Sequence, residues 1–239
     1  MIDVEKFLPG IVAGLPEGPE RTKLEGWLRE ARDYSAGKNP EAASKIDLRQ
    51  QTYDLLTRVR KPSEEEKEVL ERRGIVFLSL EAKSYAQIVA EDPSHFLSGE
   101  LDYANARPQL RDYVLPVAVI AGFNPAQPAL SGSFGKSRPV QLQMIEDYSQ
   151  QLQAKFPDAR AIMLPSTGYA QADRAYKVKT GSRLFRNYFA RTLDDISLVH
   201  AANAGRDAPS EQFDVDGWNA DRGDGHVGAV PAVVLIGNK

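Results

Sequence analysis

The stretch Val230-Pro-Ala-Val-Val-Leu-Ile236 decides the fold, because it is apolar on both sides of any strand that contains it. A strand with one solvated face alternates apolar and polar residues, whereas a strand that is covered on both faces is apolar throughout. We therefore predict a strand over residues 228–236 that lies at the centre of a sheet or under cover on both faces. Helices or strands from the rest of the chain must therefore pack against both faces of this strand.

Immediately upstream, the chain reads as a strand-rich unit. Short runs at residues 184–191, 196–202 and 212–218 are separated by turn-forming Asp, Gly, Asn and Pro. In the third run, Phe213 and Val215 point to one face, and the intervening Asp214, Asp216 and Trp218 point to the other. Two carboxylates and an indole on one exposed face fit a recognition surface, or else a solvated strand and turn.

Further upstream, helices and strands alternate, and the pattern of apolar residues predicts each of them. The predicted strands cover residues 75–80, 114–121 and 159–164, and the predicted helices cover residues 84–91, 140–156 and 168–179. Residues 92–112 and 122–139 are predicted to be loops. Residues 74–239 are therefore predicted to form a mixed α+β domain.

The first part of the chain carries helix patterns only. Leu24, Trp27, Leu28 and Ala31 form an apolar stripe, and a second helix is predicted over residues 40–60. A third helix is predicted to begin at a capping box, in which Ser63 is the N-cap and Glu66 is the third helical residue. We therefore predict a helical N-terminal segment over residues 1–73.

Composition narrows the classes of function. The 239 residues carry a formal net charge of -3, 26% are charged and 42% are hydrophobic. That apolar content is enough for a core, while the near-neutral charge argues against a dedicated nucleic-acid binder. The apolar run at residues 114–121 falls far short of the ~18–20 residues of a spanning helix, and acidic residues stand where a signal peptide would be basic. Compartment and oligomeric state stay open.

No metal, cofactor or catalytic residue is predicted. The chain has no cysteine, and its three histidines, His95, His200 and His226, are scattered. The acidic residues 214–224 lack the spacing of an EF-hand, because no Glu closes the loop. The sequence Gly132-Ser-Phe-Gly-Lys-Ser137 ends like a phosphate-binding loop, but Leu130 stands where its first glycine is required, so we interpret it as a plain loop.

A family resemblance begins at Met163-Leu-Pro-Ser166. A helix near Tyr169, the strand Tyr188-Phe-Ala-Arg-Thr192, the segment Val215-Asp-Gly-Trp-Asn219 and the closing Val227-Gly-Ala-Val-Pro-Ala-Val-Val234 follow in order. Together these resemble C-type-lectin-like domains. The pattern is similar to the bacterial versions related to formylglycine-generating enzyme and to the variable proteins of diversity-generating retroelements, over about residues 162–239.

The resemblance implies a C-type-lectin-like C-terminal unit with a short antiparallel sheet, whose last strands and loops bind a ligand. Formylglycine-generating enzymes act through cysteines, which this chain lacks, so their activity is not implied. Trp218-Asn219-Ala220-Asp221 looks similar to the calcium-binding Trp-Asn-Asp of animal lectins but carries an inserted alanine. The ligand-binding residues implied are His200, Asn203, Arg206, Asp214, Asp216, Trp218, Asn219, Asp221, Arg222, Asp224 and His226.

The leading hypothesis is a non-enzymatic binding module for a protein or glycan ligand. One alternative is an enzyme with a metal-assisted or carboxylate and histidine site in the C-terminal loops. Another is a structural protein of a phage particle or similar assembly, in which the lectin-like unit joins subunits.

Overall fold

The computed structural model describes residues 49–197, 200–206 and 212–237. The predicted helix at Leu24 and Trp27 lies outside the described residues, as does the first part of the helix predicted over residues 40–60. Gln51–Lys239 form one compact unit, and the fold below is that of this unit.

Helices and strands are mixed along the unit, which confirms the predicted α+β class. The helices are α1 (Glu64–Glu71), α2 (Tyr85–Glu91), α3 (Glu100–Asn105), α4 (Pro108–Arg111), α5 (Arg138–Gln153) and α6 (Ser166–Thr180), with a 3-10 helix at Pro93–His95. The strands are β1 (Val59–Arg60), β2 (Val76–Leu80), β3 (Val119–Phe123), β4 (Ala159–Ile162), β5 (Tyr188–Asp195), β6 (His200–Arg206), β7 (Asp214–Asn219), β8 (Val227–Gly228) and β9 (Ala232–Ile236).

Strand β9 is the centre of the first sheet, as its apolar sequence predicted, but it covers only Ala232–Ile236 of the predicted residues 228–236, and Gly228 belongs to β8 in the second sheet. It pairs antiparallel with β1, β3 and β4, and β2 pairs with β3 on the far side. All five of its residues are buried. Val234 and its alternate neighbours lie in one hydrophobic cluster, whereas Val233 and Leu235 lie in a second one. The strand is therefore covered on both faces.

The second sheet has the strand order β7-β6-β5-β8. Its pairs are antiparallel except for β5 and β8, which run parallel. Strand β5 was predicted over residues 184–191 but begins at Tyr188, because Asn187 is left-handed at φ 62° and interrupts an extended chain. Strand β6 likewise begins at His200 and not at residue 196, and residues 198 and 199 lie outside the described residues.

Local capping sets most helix boundaries. The predicted capping box is confirmed: the Glu66 amide donates to Ser63 Oγ (3.2 Å) and the Ser63 amide donates to the Glu66 carboxylate (2.8 Å). The second predicted helix is wrong at its C-terminal end, because only residues 49–56 of its described part are helical and Val59–Arg60 pair with β9. Ion pairs hold the end of this strand in place: the Arg60 guanidinium pairs with the carboxylates of Glu66 at 2.6 Å and Asp158 at 2.9 Å.

The prediction that residues 92–112 form a loop is wrong. This segment holds the 3-10 helix, α3 and α4, and it buries Ala104 and Leu110 in the core. Pro108 occupies the first helical position of α4. Helices of four to six residues are too short to show a repeated apolar stripe, so periodicity could not reveal them.

Candidate functional site

The outward side of β7 carries the side chains of Asp214, Asp216 and Trp218, and we call it the Trp218 face. Phe213 and Val215 are buried on the opposite side, whereas Trp218 is 42% exposed and Asp216 is exposed. This is the alternation that the sequence predicted. A partly exposed indole beside a carboxylate combines a large apolar surface with hydrogen-bonding groups.

Strand β7 lies at the edge of its sheet, but three amides along this edge, those of residues 213, 215 and 217, are already bonded. The amide of Phe213 donates to His95 O (2.9 Å), that of Val215 to Glu100 Oε1 (3.1 Å) and that of Gly217 to Asp216 Oδ1 (2.6 Å). An edge strand with unbonded N–H and C=O groups can form backbone hydrogen bonds with a strand of another chain. Here the Trp218 face offers side chains to a ligand, while the backbone donors beside it are satisfied.

Glu100 supports this edge from inside the protein. Its Oε1 accepts hydrogen bonds from the Tyr85 hydroxyl (2.8 Å) and the Val215 amide. Burial raises the pKa of Glu100 to about 7 and outweighs these two bonds, which act in the opposite direction. Burial also raises the pKa of Tyr85 well above its ordinary value, so the phenol stays protonated and donates to Glu100.

A row of polar residues crosses the second sheet on the side of the Trp218 face. Arg191, Asn203 and Asp216 are directly opposite one another on β5, β6 and β7. Arg191 is fully buried, and its guanidinium donates to Gln141 Oε1 and to the Arg222 carbonyl, both at 3.2 Å. Burial, with a contribution from the charge of Arg138, lowers the pKa of Arg191 to about 10.

This buried row is incompletely bonded. Within the described part of the chain, Arg191 Nη1 and Asn203 Oδ1 have no hydrogen-bond partner. Neither group that accepts from Arg191 is a carboxylate. An uncompensated buried charge lowers stability, and such groups in native structures often belong to functional sites.

Residues 220–226 follow β7, and we call them the display loop. Three alternate carbonyls of the loop point inward: Ala220 O accepts from the Arg138 amide (2.8 Å), Arg222 O from the Arg191 side chain and Asp224 O from the Gly135 amide (2.8 Å). The side chains of Asp221, Arg222 and His226 are exposed. A loop held from beneath in this way presents its side chains in one fixed arrangement, which lowers the entropic cost of binding.

The structure divides the predicted ligand-binding residues into three groups. The first shares one side of the second sheet and consists of Asn203, Asp214, Asp216 and Trp218. The second lies on the display loop and consists of Asp221, Arg222, Asp224 and His226. The third group lies at alternate positions whose side chains face the opposite side of the sheet, and it consists of His200, Arg206 and Asn219.

Two residues of these groups differ in their surroundings from the sequence-based picture. Asn203 was expected to be exposed but is only 3% exposed, because its side of the sheet is covered near β5. His200 contacts Ser197 Oγ through Nδ1 at 2.8 Å, and its own amide donates to the same oxygen at 3.2 Å. These two bonds describe a local turn at the start of β6. Their roles as ligand-binding residues stay predictions.

Sequence reasoning missed the residues that hold the site together. Arg138 and Gln141 lie in the first turn of α5, where Arg138 pairs with Asp195 at 2.7 Å and Gln141 bonds Arg191. The available signal was Arg191 itself, a charged residue within a strand that otherwise packs into the core. Its partners come from a distant helix, so the sequence does not connect them.

The described ranges 49–197, 200–206 and 212–237 hold neither a metal-binding cluster nor a membrane-spanning helix. No group of three or more His, Asp or Glu side chains in these ranges is placed to hold a metal ion. No helix in the same ranges has the length and apolar character needed to cross a bilayer.

Comparison with known proteins adds no assignment. Neither a protein-family model, nor a curated protein, nor a solved structure matches the chain. The geometry of the Trp218 face and the display loop is therefore the basis for a functional proposal.

Proposed function

We propose that this protein is a non-enzymatic binding module that uses the Trp218 face and the display loop to bind a protein or glycan ligand. The observation that carries the proposal is the 42% exposed Trp218 on the outward side of β7, whereas Val215 of the same strand is buried on the opposite side. Trp and Arg are the residue types that most often dominate binding energy. Trp218 and Arg222 are both exposed and lie four residues apart in the chain.

The support beneath the surface favours the same function. Three inward carbonyls fix the display loop, and three amides along the edge at β7 are bonded, so the surface is rigid before a ligand arrives. Preorganisation of this kind increases affinity because less freedom is lost on binding.

We further propose that residues 162–239 have the C-type-lectin-like arrangement. Three features agree with it: Pro165 is the N-cap of α6, β5 contains Arg191 and Thr192, and the chain closes with β8 and β9. An experimental structure tests this, and a different order of paired strands in this region would contradict it.

A pair of screens tests the binding function. The full chain is applied to a printed glycan panel and to a displayed random-peptide library, and each binder is then titrated against Trp218→Ala/Arg222→Ala. We expect the double variant to lose affinity by about tenfold or more, since hot-spot truncations have effects of this size. Its stability should change by less than about 0.5 kcal/mol per site, as is usual for surface substitutions.

The matched control is Val178→Ala on α6, which removes an 83% exposed apolar side chain outside the site. Binders should not distinguish this variant from the parent. The origin of the dependent binders, glycan panel or peptide library, identifies the ligand class. Binders from both screens that ignore the double variant would disprove the proposal.

A further inference from the structure

A cleft of about 630 Å³ opens at another place on the same unit. Its walls are formed by Pro125, Ala126, Pro128, Tyr176, Leu184 and Tyr188. Ligand sites in proteins usually have volumes of about 300–1,000 Å³ and are lined mostly by apolar and aromatic side chains with a few polar groups. The cleft meets both conditions. None of its lining residues belongs to the Trp218 face or the display loop.

The walls of the cleft are held in place by local bonds. Asn124 Oδ1 accepts from the amides of Ala126 (3.1 Å) and Gln127 (3.3 Å), and Pro125 and Pro128 restrict the same turn. On the opposite side, the Tyr188 hydroxyl donates to Leu184 O at 3.3 Å. These bonds preform the cleft, so little ordering is needed when a ligand binds.

Aromatic packing fixes the ring of Tyr188 further. It lies edge-on to Phe134 at 5.9 Å and tilted against Phe185 at 5.6 Å between ring centres. Burial raises the pKa of Tyr188 well above its ordinary value, so its hydroxyl remains neutral. The aromatic wall therefore brings no negative charge into the cleft.

Arg186 is the single charged residue among those that line the cleft. Its side chain is exposed and makes no hydrogen bond or ion pair with the part of the chain that the structure describes. The next residue, Asn187, has the left-handed φ of 62°, and this reversal places Arg186 and Tyr188 on the same cleft. The neighbouring carboxylate of Asp173 is already bonded to His95, to Arg183 and to the amides of Leu184 and Phe185.

We propose that this cleft binds a small organic carboxylate whose body is an aromatic ring or a branched alkyl group. The apolar body packs between the proline turn and the rings of Tyr176 and Tyr188, and the carboxylate pairs with the Arg186 guanidinium. Arginine suits this role because its planar fork donates two parallel hydrogen bonds to a carboxylate. The proposal is independent of the binding function assigned to the Trp218 face.

Calorimetric titration of the full chain with three probes tests the two parts of this ligand separately. Hydrocinnamate carries both the ring and the charge, hydrocinnamamide carries only the ring, and propionate carries only the charge. We expect hydrocinnamate to bind with a dissociation constant of about 1 mM or below, which is ordinary for a ligand of this size. Each of the other two should bind roughly tenfold more weakly, since charge-assisted hydrogen bonds and buried rings have effects of this order.

Variants locate the site. Arg186→Gln should weaken hydrocinnamate binding by about tenfold and leave hydrocinnamamide binding unchanged, whereas the control Arg111→Gln, which changes an exposed arginine of α4 outside the cleft, should affect neither probe. Ala126→Trp fills the cleft from an exposed position and should abolish binding while the melting temperature stays near that of the parent. The proposal is overturned if hydrocinnamate fails to bind, if acid and amide bind equally, or if Arg186→Gln binds the acid like the parent.

Discussion

Arg191 carries a buried positive charge whose accepting partners are an amide oxygen and a backbone carbonyl. A buried guanidinium that donates to no carboxylate costs free energy, because it loses its hydration without gaining an ion pair at hydrogen-bond distance, and an apolar side chain of similar volume avoids this cost. We infer that Arg191 mainly holds the display loop in position and contributes little to the free energy of unfolding. Two variants separate these roles.

Arg191→Met should melt at or above the temperature of the parent, since the desolvated charge is removed and most of the volume is kept. The same variant should increase amide exchange of Gly223 and Asp224, because Arg222 O loses its bond to the guanidinium. Differential scanning calorimetry and hydrogen exchange measure the two effects. Arg138→Met is the contrast: it leaves Asp195 without its 2.7 Å partner and should lower the melting temperature. A large drop for Arg191→Met would refute this account.

Gly223 is required by a close approach of two backbones. A Cβ atom at this position would overlap the carbonyl of Gly135, which precedes α5. Gly223→Ala should therefore shift the display loop, lower stability by about 1–3 kcal/mol as overpacking usually does, and weaken binding through the Trp218 face. Chemical denaturation and titration with a binder measure both. Gly225→Ala is the control, because its added Cβ meets no atom within 4 Å in the described part of the chain beyond its two neighbours, and equal behaviour of the two variants would contradict the prediction.

At the residue scale, the sequence predicted side-chain direction along one strand but not across strands. Alternation alone placed Trp218 and Asp216 on the side opposite Phe213, because the strand period is two. The row from Arg191 to Asp216 depends on the register between three strands, which alternation does not fix. The partners of Arg191 come in turn from the first turn of α5 and from the display loop, which are remote from β5 in the chain.

At the scale of elements, β7 is anchored through Glu100 on α3. The pKa of Glu100 is raised from its ordinary 4.5 to about 7, mainly by burial, so the folded protein holds this proton more tightly than the unfolded chain. Its contribution to stability is complete below about pH 4.5 and is lost as the pH rises through 7. The charged groups that act on it are Arg107 and Asp216.

Glu100→Gln mimics the protonated form, because its amide oxygen can still accept from Tyr85 and Val215. We expect the variant to gain stability relative to the parent as the pH rises from 5 to 8, by up to roughly 3 kcal/mol. Urea denaturation at several pH values measures this difference. Asp102→Asn, which changes an exposed carboxylate on the same helix, is measured alongside as the matched control. A difference between Glu100→Gln and the parent that does not vary with pH would refute the prediction.

Elements with a local signal were predictable, and elements that depend on tertiary packing were not. The box of Ser63 and Glu66 lies within four residues and marked the start of α1. Gly181, left-handed at φ 74°, ends α6 close to the predicted boundary at residue 179, because glycine adopts this conformation without strain. Helices α3 and α4 are short and are stabilised by their packing into the core, and strand β1 is stabilised by its pairing with β9. No local sequence pattern therefore predicts them.

At the scale of the whole unit, one hydrophobic cluster joins the two sheets. It contains Val234 and Ala121 from the first sheet together with Ala204 and Val215 from the second. Phe213 adds to the connection through ring contacts with Phe96 and Phe185, at 5.9 and 5.8 Å between centres. Elements that share a core lose their packing together, so we expect the two sheets to unfold as one cooperative unit.

Native-state hydrogen exchange of Val234→Ala tests this cooperativity. The truncation removes two buried methyl groups from the central strand β9 and should lower the free energy of unfolding by about 2 kcal/mol. If the sheets unfold together, the slowest amides of β6 in the second sheet should lose the same amount of protection as those of β9, although β6 and β9 are not paired. Val178→Ala, at an 83% exposed position, should leave protection in both strands unchanged. A loss confined to β9 and its neighbours would show that the second sheet opens independently, because a shared core cannot lose packing at Val234 without destabilising every strand that needs it.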